Sequence, residues 1–411
     1  MHFVLMGPVP EAIDELADLG HTLTVLSTER NRTALAGRRH RIAHSGVVPS
    51  YDRPELAWSV IAHLGLEQKI DGVIAAHEMA VVGAAMLNQL LGLPQRTDPR
   101  TAMAGRDKAI QKSLWHRHGV PTSRFATFTD VPADAAEARD LLADLPAPYV
   151  VKPPAEGGTT SVFACADADE VFALVDGNPD LRHAVVEERQ PGREWHFDGA
   201  IVDGTIEHLM VSRYLAPLIE TKNGATLRSV AYPVHAHPAL YAESLAFSQA
   251  AVDALGGRWG VFHLEVFGEP GGFVAGELAW RPAGVLAPLS AQHTIGLNLW
   301  AAHARLMAGE PLTPREPDRG AVFGFVCLPV KPGATNGVTR ADLEALPGVR
   351  HVKMKVDPGK VMGSMTASTI SVGMALIEAP TIERCEQLID DAVERTRLLH
   401  EQKSRVATVA T

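Results

Sequence analysis

The 411-residue sequence predicts a chain of the α/β (α+β) class, with a small parallel βα domain in front, a strand-rich middle and a C-terminal α+β subdomain. Three observations predict it. Near the start, short apolar runs alternate with helical patterns. From Arg106 the texture turns to strands. After the Pro-rich stretch from Gly309 to Asp318, a final segment opens with an apolar strand and closes with a helix.

The first unit reads as a buried strand (His2 to Met6), a Gly7-Pro8 turn, a helix around Glu11 to Leu19 and, after Gly20, a strand from Thr22 to Leu26. A further apolar strand, Asp71 to Ala75, precedes a helix near Val81 to Leu91, as in a parallel-sheet domain. No G-x-G-x-x-G follows the first strand, so residues 1–105 read as a scaffold or substrate wall, not as a dinucleotide site. The middle domain spans 106–314, with a lid over roughly 145–212. It opens with a helix (Asp107 to His118) and a Gly119-Val120-Pro121 break. Strands follow at Tyr149 to Lys152, Ala184 to Glu188, Ile206 to Arg213 and Gly260 to Phe267. Residues 315–411 form the third unit, with a strand from Ala321 to Pro329, a helix from Thr381 to His400 and a frayed end after Ser404.

Composition narrows the function classes. A formal net charge of −10, with no basic stripe, argues against a nucleic-acid partner. Cys165, Cys327 and Cys385 are odd in number and far apart, which points to neither a disulfide framework nor a cysteine metal site. The first residues lack a basic leader and no long uninterrupted apolar run follows, so no membrane span and a cytoplasmic home are expected.

Several residue groups suit chemistry on a polyphosphate. Lys108 follows Asp107, and Lys152 ends Val150-Val151-Lys152-Pro153, which leads into Ala155-Glu156-Gly157-Gly158-Thr159-Thr160-Ser161-Val162. Ammonium groups neutralise charge during phosphoryl transfer, and small residues let backbone N–H groups approach phosphate oxygens. Gly-Gly-Thr-Thr is equally an ordinary hairpin turn. Val185-Val186-Glu187-Glu188, with Glu194 beyond Gly192-Arg193, is an apolar strand ending in carboxylates that could meet an adenine edge and ribose hydroxyls; a solvated charged turn is the competing reading.

Glu265 and Glu277 lie in two apolar segments across a Glu-Pro-Gly-Gly turn. Antiparallel pairing can bring both carboxylates onto one face, where a hard cation could be held. Arg281, four positions after Glu277, could hold a carboxylate or the oxygens of an acyl-phosphate.

In this order the pieces resemble the ATP-grasp superfamily over Arg106 to Ala308, with the front domain similar to its pre-ATP-grasp domain. The resemblance implies an ATP-grasp fold and ATP phosphates on Lys108, Lys152 and the loop Gly158, Thr159, Thr160 and Ser161. It implies adenine and ribose against Glu187, Glu188 and Glu194, Mg2+ (Mn2+ as an alternative) on Glu265 and Glu277, and Arg281 as the catalytic group at the acyl-phosphate. The Ala155 to Ser161 loop would close as a lid. The Gly284 to Gly296 stretch borders the acid pocket in the family, which brings Gly284 and His293 to the substrate. Leu215 to Leu227, flanked by Tyr214 and Arg228, reads as a substrate-side loop.

Two departures stand out. The family's E-x-N-x-R reads Glu277-Leu278-Ala279-Trp280-Arg281 here, with Ala279 in place of the asparagine ligand, and the phosphate loop has lost a glycine of G-S-x-G-V. Within the superfamily the chain looks most like the L-amino-acid ligases. The implied activity is ATP-dependent C–N bond formation between a carboxylate and an amine, as an amide or dipeptide of two amino acids, in a homodimer. A biotin-carboxylase or purine-biosynthesis type of enzyme is the alternative, and a non-catalytic ATP-binding protein is the alternative of another class.

Overall fold

The computed structural model describes residues 1–157, 161–329, 333–362 and 371–409. Among the described residues three sheets form. The first is parallel, from β1 (His2–Met6), β2 (Thr22–Ser27), β3 (His44–Val47) and β4 (Gly72–Ala75), in the order β3-β2-β1-β4. β1 from Phe3 on and β4 are apolar because both faces of this parallel sheet are covered. One face is closed by the helix Pro10–Asp18, and Ala304 and Ala308 of the helix Leu299–Ala308 complete its core with Phe3, Leu5, Ile13 and Leu16. The other face shares a core with Trp115, Phe197 and Phe262 of the middle of the chain. The front domain therefore has no core wholly its own.

The second sheet is small and antiparallel: β5 (Phe125–Phe128), β6 (Tyr149–Lys152), β7 (Phe163–Cys165) and β8 (Ala184–Glu188), in the order β5-β8-β6-β7. The third has eight strands: β9 (Glu194–Val202), β10 (Thr205–Tyr214), β11 (Arg228–Ala231), β12 (Gly260–Phe267), β13 (Val274–Ala279), β14 (Val322–Leu328), β15 (Val349–Met354) and β16 (Gly373–Ala379). Their order is β13-β12-β9-β10-β11-β14-β16-β15.

Two sequence expectations change here. β9 and β10, placed in the lid range of 145–212, pair into the large sheet, so the small sheet runs from Phe125 to Glu188. Gly192 marks the switch: its φ of 93° and its approach to Gly268, where an added Cβ would stand 3.3 Å from the Gly268 Cα, turn the chain between sheets. The C-terminal strands likewise continue the large sheet through β11 and β14, because Arg228–Val230 pair with Gly324–Val326. The helix Ile382–Val409 covers that end, with Cys385 and Ile389 in its core. All three cysteines are buried and free.

β13 is an edge strand, and the helix Lys108–Arg117 covers its open side. Gln111 closes both backbone groups of Leu278 at 2.8 Å, and Lys112 Nζ donates to the Gly276 carbonyl at 3.1 Å. The open edge groups of Gly276 and Leu278 are thereby satisfied by side chains, while the Ala275 N–H donates to the Pro121 carbonyl at 2.8 Å. Asp107 starts this helix as its N-cap, accepting from the N–H groups of Ala109 and Ile110.

Just past β13, Trp280 lies between two glycines. A Cβ on Gly105 would meet its ring at 2.1 Å and one on Gly257 at 2.2 Å, while its Nε1 donates to Thr101 at 2.8 Å. Gly257→Ala should therefore displace the ring and destabilise the protein by about 1–3 kcal/mol. Urea unfolding at neutral pH checks this, and an unchanged midpoint would show that the ring is free to move.

Candidate active site

The three sheets and the front domain enclose a cavity of about 670 Å3, a size suited to a cofactor or small substrates. Val150 and Lys152 of the small sheet and the 188–192 hinge form one wall. Glu194, His196, His263, Glu265 and Glu277 of the large sheet form the floor. Ala76, His77 and Glu78 close it from the front domain, and Arg281, Gly284 and Ala287 come from the segment after β13.

The floor follows from strand register. In β12 and β13, Glu265 stands directly opposite Glu277 and His263 opposite Ala279, and β9 adds His196 beside Glu265 and Asp198 beside His263. Residues two apart share a face. Two adjacent rows of side chains result, Glu277, Glu265 and His196 in one and Ala279, His263 and Asp198 in the other.

Glu187 is 3% exposed and lies between Lys112, at 2.7 Å, and Lys152. Burial alone would raise its pKa, but the two ammonium groups outweigh it and hold it at about 2. Its carboxylate, at the cavity wall, is held in an ion triad. Lys112 was overlooked in the sequence, although it lies four residues after Lys108 and so on the same helix face. Glu188 accepts from the Arg124 N–H at 3.1 Å and from Gln190 at 2.8 Å. Glu194 accepts from the Leu218 N–H at 2.8 Å; burial and then the Glu265 charge raise its pKa.

Lys108 sits behind the cavity wall, donating to the Glu156 carbonyl at 2.7 Å and standing 3.1 Å from Glu277. It ties the base of the expected phosphate loop to the floor. Gly158, Thr159 and Thr160 lie outside the described residues, and Ser161 is half-buried just beyond them.

Arg281 pairs with Glu78, and Glu78 also pairs with Arg106 at 2.6 Å. Against burial, the two guanidinium groups hold Glu78 at about 2. This bridge joins the front domain to the segment after β13. Nothing in the sequence set Glu78 apart, because its partners are 28 and 203 residues away.

His293 is corrected. It does not line the cavity: its Nδ1 is 2.7 Å from Asp318 and its ring stacks on Phe323 at 4.6 Å, because the helix Ala287–Thr294 turns it towards β14. Gly284 does line the cavity. Of the suggested substrate-side loop, Tyr214, Leu218 and Leu227 line it too, whereas Arg228 pairs with Asp390 of the C-terminal helix.

Behind the floor, Asp198 accepts from two imidazoles, His196 Nδ1 at 2.5 Å and His263 Nδ1 at 2.8 Å, and His196 Nε2 meets Ser229 Oγ at 2.7 Å. Burial would lower the His263 pKa, but Asp198 and then Glu265 raise it to about 10. These contacts are hydrogen-bond distances, shorter than the roughly 3.3 Å between ligands of one tetrahedral zinc, so this trio by itself is a proton-linked cluster.

The floor fits a divalent cation. Glu265 and Glu277 are paired across the hairpin, line the cavity, and have side chains 26% and 28% exposed, with His263 beside the first and Lys108 beside the second. One or two carboxylates, completed by phosphate oxygens and water, are the donors that Mg2+ takes with a nucleotide.

The buried carboxylates set an acid limit. With folded pKa values near 2 against an ordinary 4.5, Glu78 and Glu187 contribute fully above about pH 4.5, and that contribution is lost as pH falls towards 2. Glu187→Gln strands two buried ammonium groups and should cost about 3–5 kcal/mol at pH 7. It should also flatten the stability profile below pH 4.5. Denaturant melts from pH 2 to 7 check both, and a variant with the native acid slope would contradict the assignment.

Comparison with known proteins agrees with this architecture. A family model described as the ATP-grasp N-terminal domain matches residues 14–95, and one described as the L-amino acid ligase C-terminal domain 2 matches 326–399. The L-arginine-specific L-amino acid ligase of Bacillus subtilis is 22% identical over 317 residues, covering 74% of this chain and 73% of that protein. The crystal structure of an L-amino acid ligase from Bacillus licheniformis aligns with a TM-score of 0.77 at 18% identity, over 96% of this chain and 97% of that one. Carboxyaminoimidazole ribonucleotide synthase from Aspergillus clavatus, complexed with ATP, aligns at 0.73 and 15% identity, over 96% and 98%. Family matches at both ends, a relative along three quarters of the chain and one fold along almost its whole length support an ATP-grasp carboxylate–amine ligase.

Proposed function

We propose that the protein joins two amino acids through an amide bond, using ATP to activate the carboxylate of one as an acyl-phosphate. The observation that supports this most directly is the Arg281–Glu78 pair in the cavity beside Glu265 and Glu277. An activated carboxylate needs a cation, and Arg281, held at the cavity by Glu78, presents its guanidinium to one.

In this reading Lys108 and Lys152 neutralise ATP phosphates, the strand end at Glu188 with Glu194 meets the adenosine, and Glu265 and Glu277 hold Mg2+. When bound, Mg·ATP supplies the phosphoryl group. Arg281 steadies the oxygens of the activated carboxyl and of the tetrahedral adduct as the amine adds. The C–N bond forms as the C–O bond to phosphate breaks, and phosphate leaves. Much of the rate comes from holding the reactants in a site walled off from water by the front domain and the small sheet.

The test is ADP and phosphate release from purified protein with Mg·ATP across pairs of amino acids, with product mass recorded. Release that needs two amino acids, with a mass equal to their condensation, is the expected result. Glu277→Ala and Arg281→Ala should each lower turnover by at least about a hundredfold. Release driven by bicarbonate or a ribonucleotide, and by no amino acid pair, would refute the reading.

A further inference from the structure

Ala279 removes a ligand from the family's E-x-N-x-R pattern, and the register shows what faces the vacated place. His263 is the direct cross-strand partner of Ala279, in the row next to the Glu265–Glu277 pair, and His263, Glu265, Glu277 and Ala279 all line the cavity. An alanine methyl leaves room on that face for the longer imidazole opposite. We propose that His263 is a direct ligand of the divalent cation held by Glu265 and Glu277, giving this site a nitrogen donor where the family pattern has an amide oxygen. The assignment rests on the ATP-dependent ligase reading above.

Three observations carry it. His263 Nε2 is 3.6 Å from Glu265 Oε1, so the ring's outer nitrogen already points at the carboxylate row. Its inner nitrogen, Nδ1, is 2.8 Å from Asp198 Oδ1, and a carboxylate on one ring nitrogen fixes the tautomer that turns the other's lone pair to a metal. Asp198 is itself fixed by His196, which Ser229 holds in turn, so the ring orientation is set by buried neighbours.

The consequence is a shift in cation preference. Mg2+ strongly favours oxygen ligands, whereas imidazole suits later divalent ions. Mn2+ and Co2+ should therefore bind more tightly than Mg2+ in the presence of nucleotide.

The direct experiment is pulsed EPR of the full-length protein with Mn2+ and ADP, which needs no turnover. Imidazole nitrogen modulation is expected in the native protein and should vanish in His263→Ala, with Mn2+ affinity at least about tenfold weaker. Asp198→Asn, which frees the ring, should weaken Mn2+ by roughly 10- to 100-fold. In the double variant His263→Ala with Ala279→Asn, the Mn2+ to Mg2+ affinity ratio should fall at least tenfold. Mn2+ bound alongside ADP without nitrogen modulation in the native protein would overturn the assignment and leave the ligase reading standing. Failure of Mn2+ and ADP to bind at all would overturn both.

Discussion

The Glu187 carboxylate between Lys112 and Lys152 is the contact on which the rest of the site depends. A charge so deeply buried is tolerated only when its partners are buried with it. Here each partner comes from a different element: Lys112 from the helix that covers edge strand β13, Lys152 from β6 and Glu187 from β8. Satisfying one carboxylate therefore fixes the small sheet relative to the hairpin that carries Glu265 and Glu277. Lys112 also reaches the Gly276 carbonyl, so the same ammonium registers the helix on the strand.

A second buried charge does the same at the front domain. Glu78 lies under Arg106 and Arg281, and Arg106 also donates to the Ala155 carbonyl at the base of the expected phosphate loop. One short segment after β4 thus touches the domain junction, the loop and the arginine proposed to act on the substrate. The front domain binds no dinucleotide fingerprint, yet it supplies a wall and a counter-charge. Because its core is completed by Ala304 and Ala308, it cannot pivot freely from the floor it covers.

The floor carries a third set of charges, of a different kind. Glu265 and Glu277 reach the cavity beside His263 and His196, which the buried Asp198 links by hydrogen bonds from beneath. Ala279 and His263 face each other across the same two strands.

Much of this was legible in the residues. Apolar runs and turn signals located β1, β2, β6, β8 and β12 closely, since local burial patterns and Gly-Pro breaks act over a few residues. The turn between Phe267 and Val274 implied the hairpin and so the facing of Glu265 and Glu277. The motif order implied the superfamily. By itself the sequence determined the strands, the hairpin and which ionisable residues lie near each other along the chain. Only the tertiary structure decided that β9 and β10 join the large sheet, that Glu187 is held by Lys112, that Glu78 meets Arg281, and that His293 turns away to Asp318. These rest on contacts between residues 25 to 203 apart and on burial, which local patterning does not encode. A charge becomes a constraint only once folding removes its water.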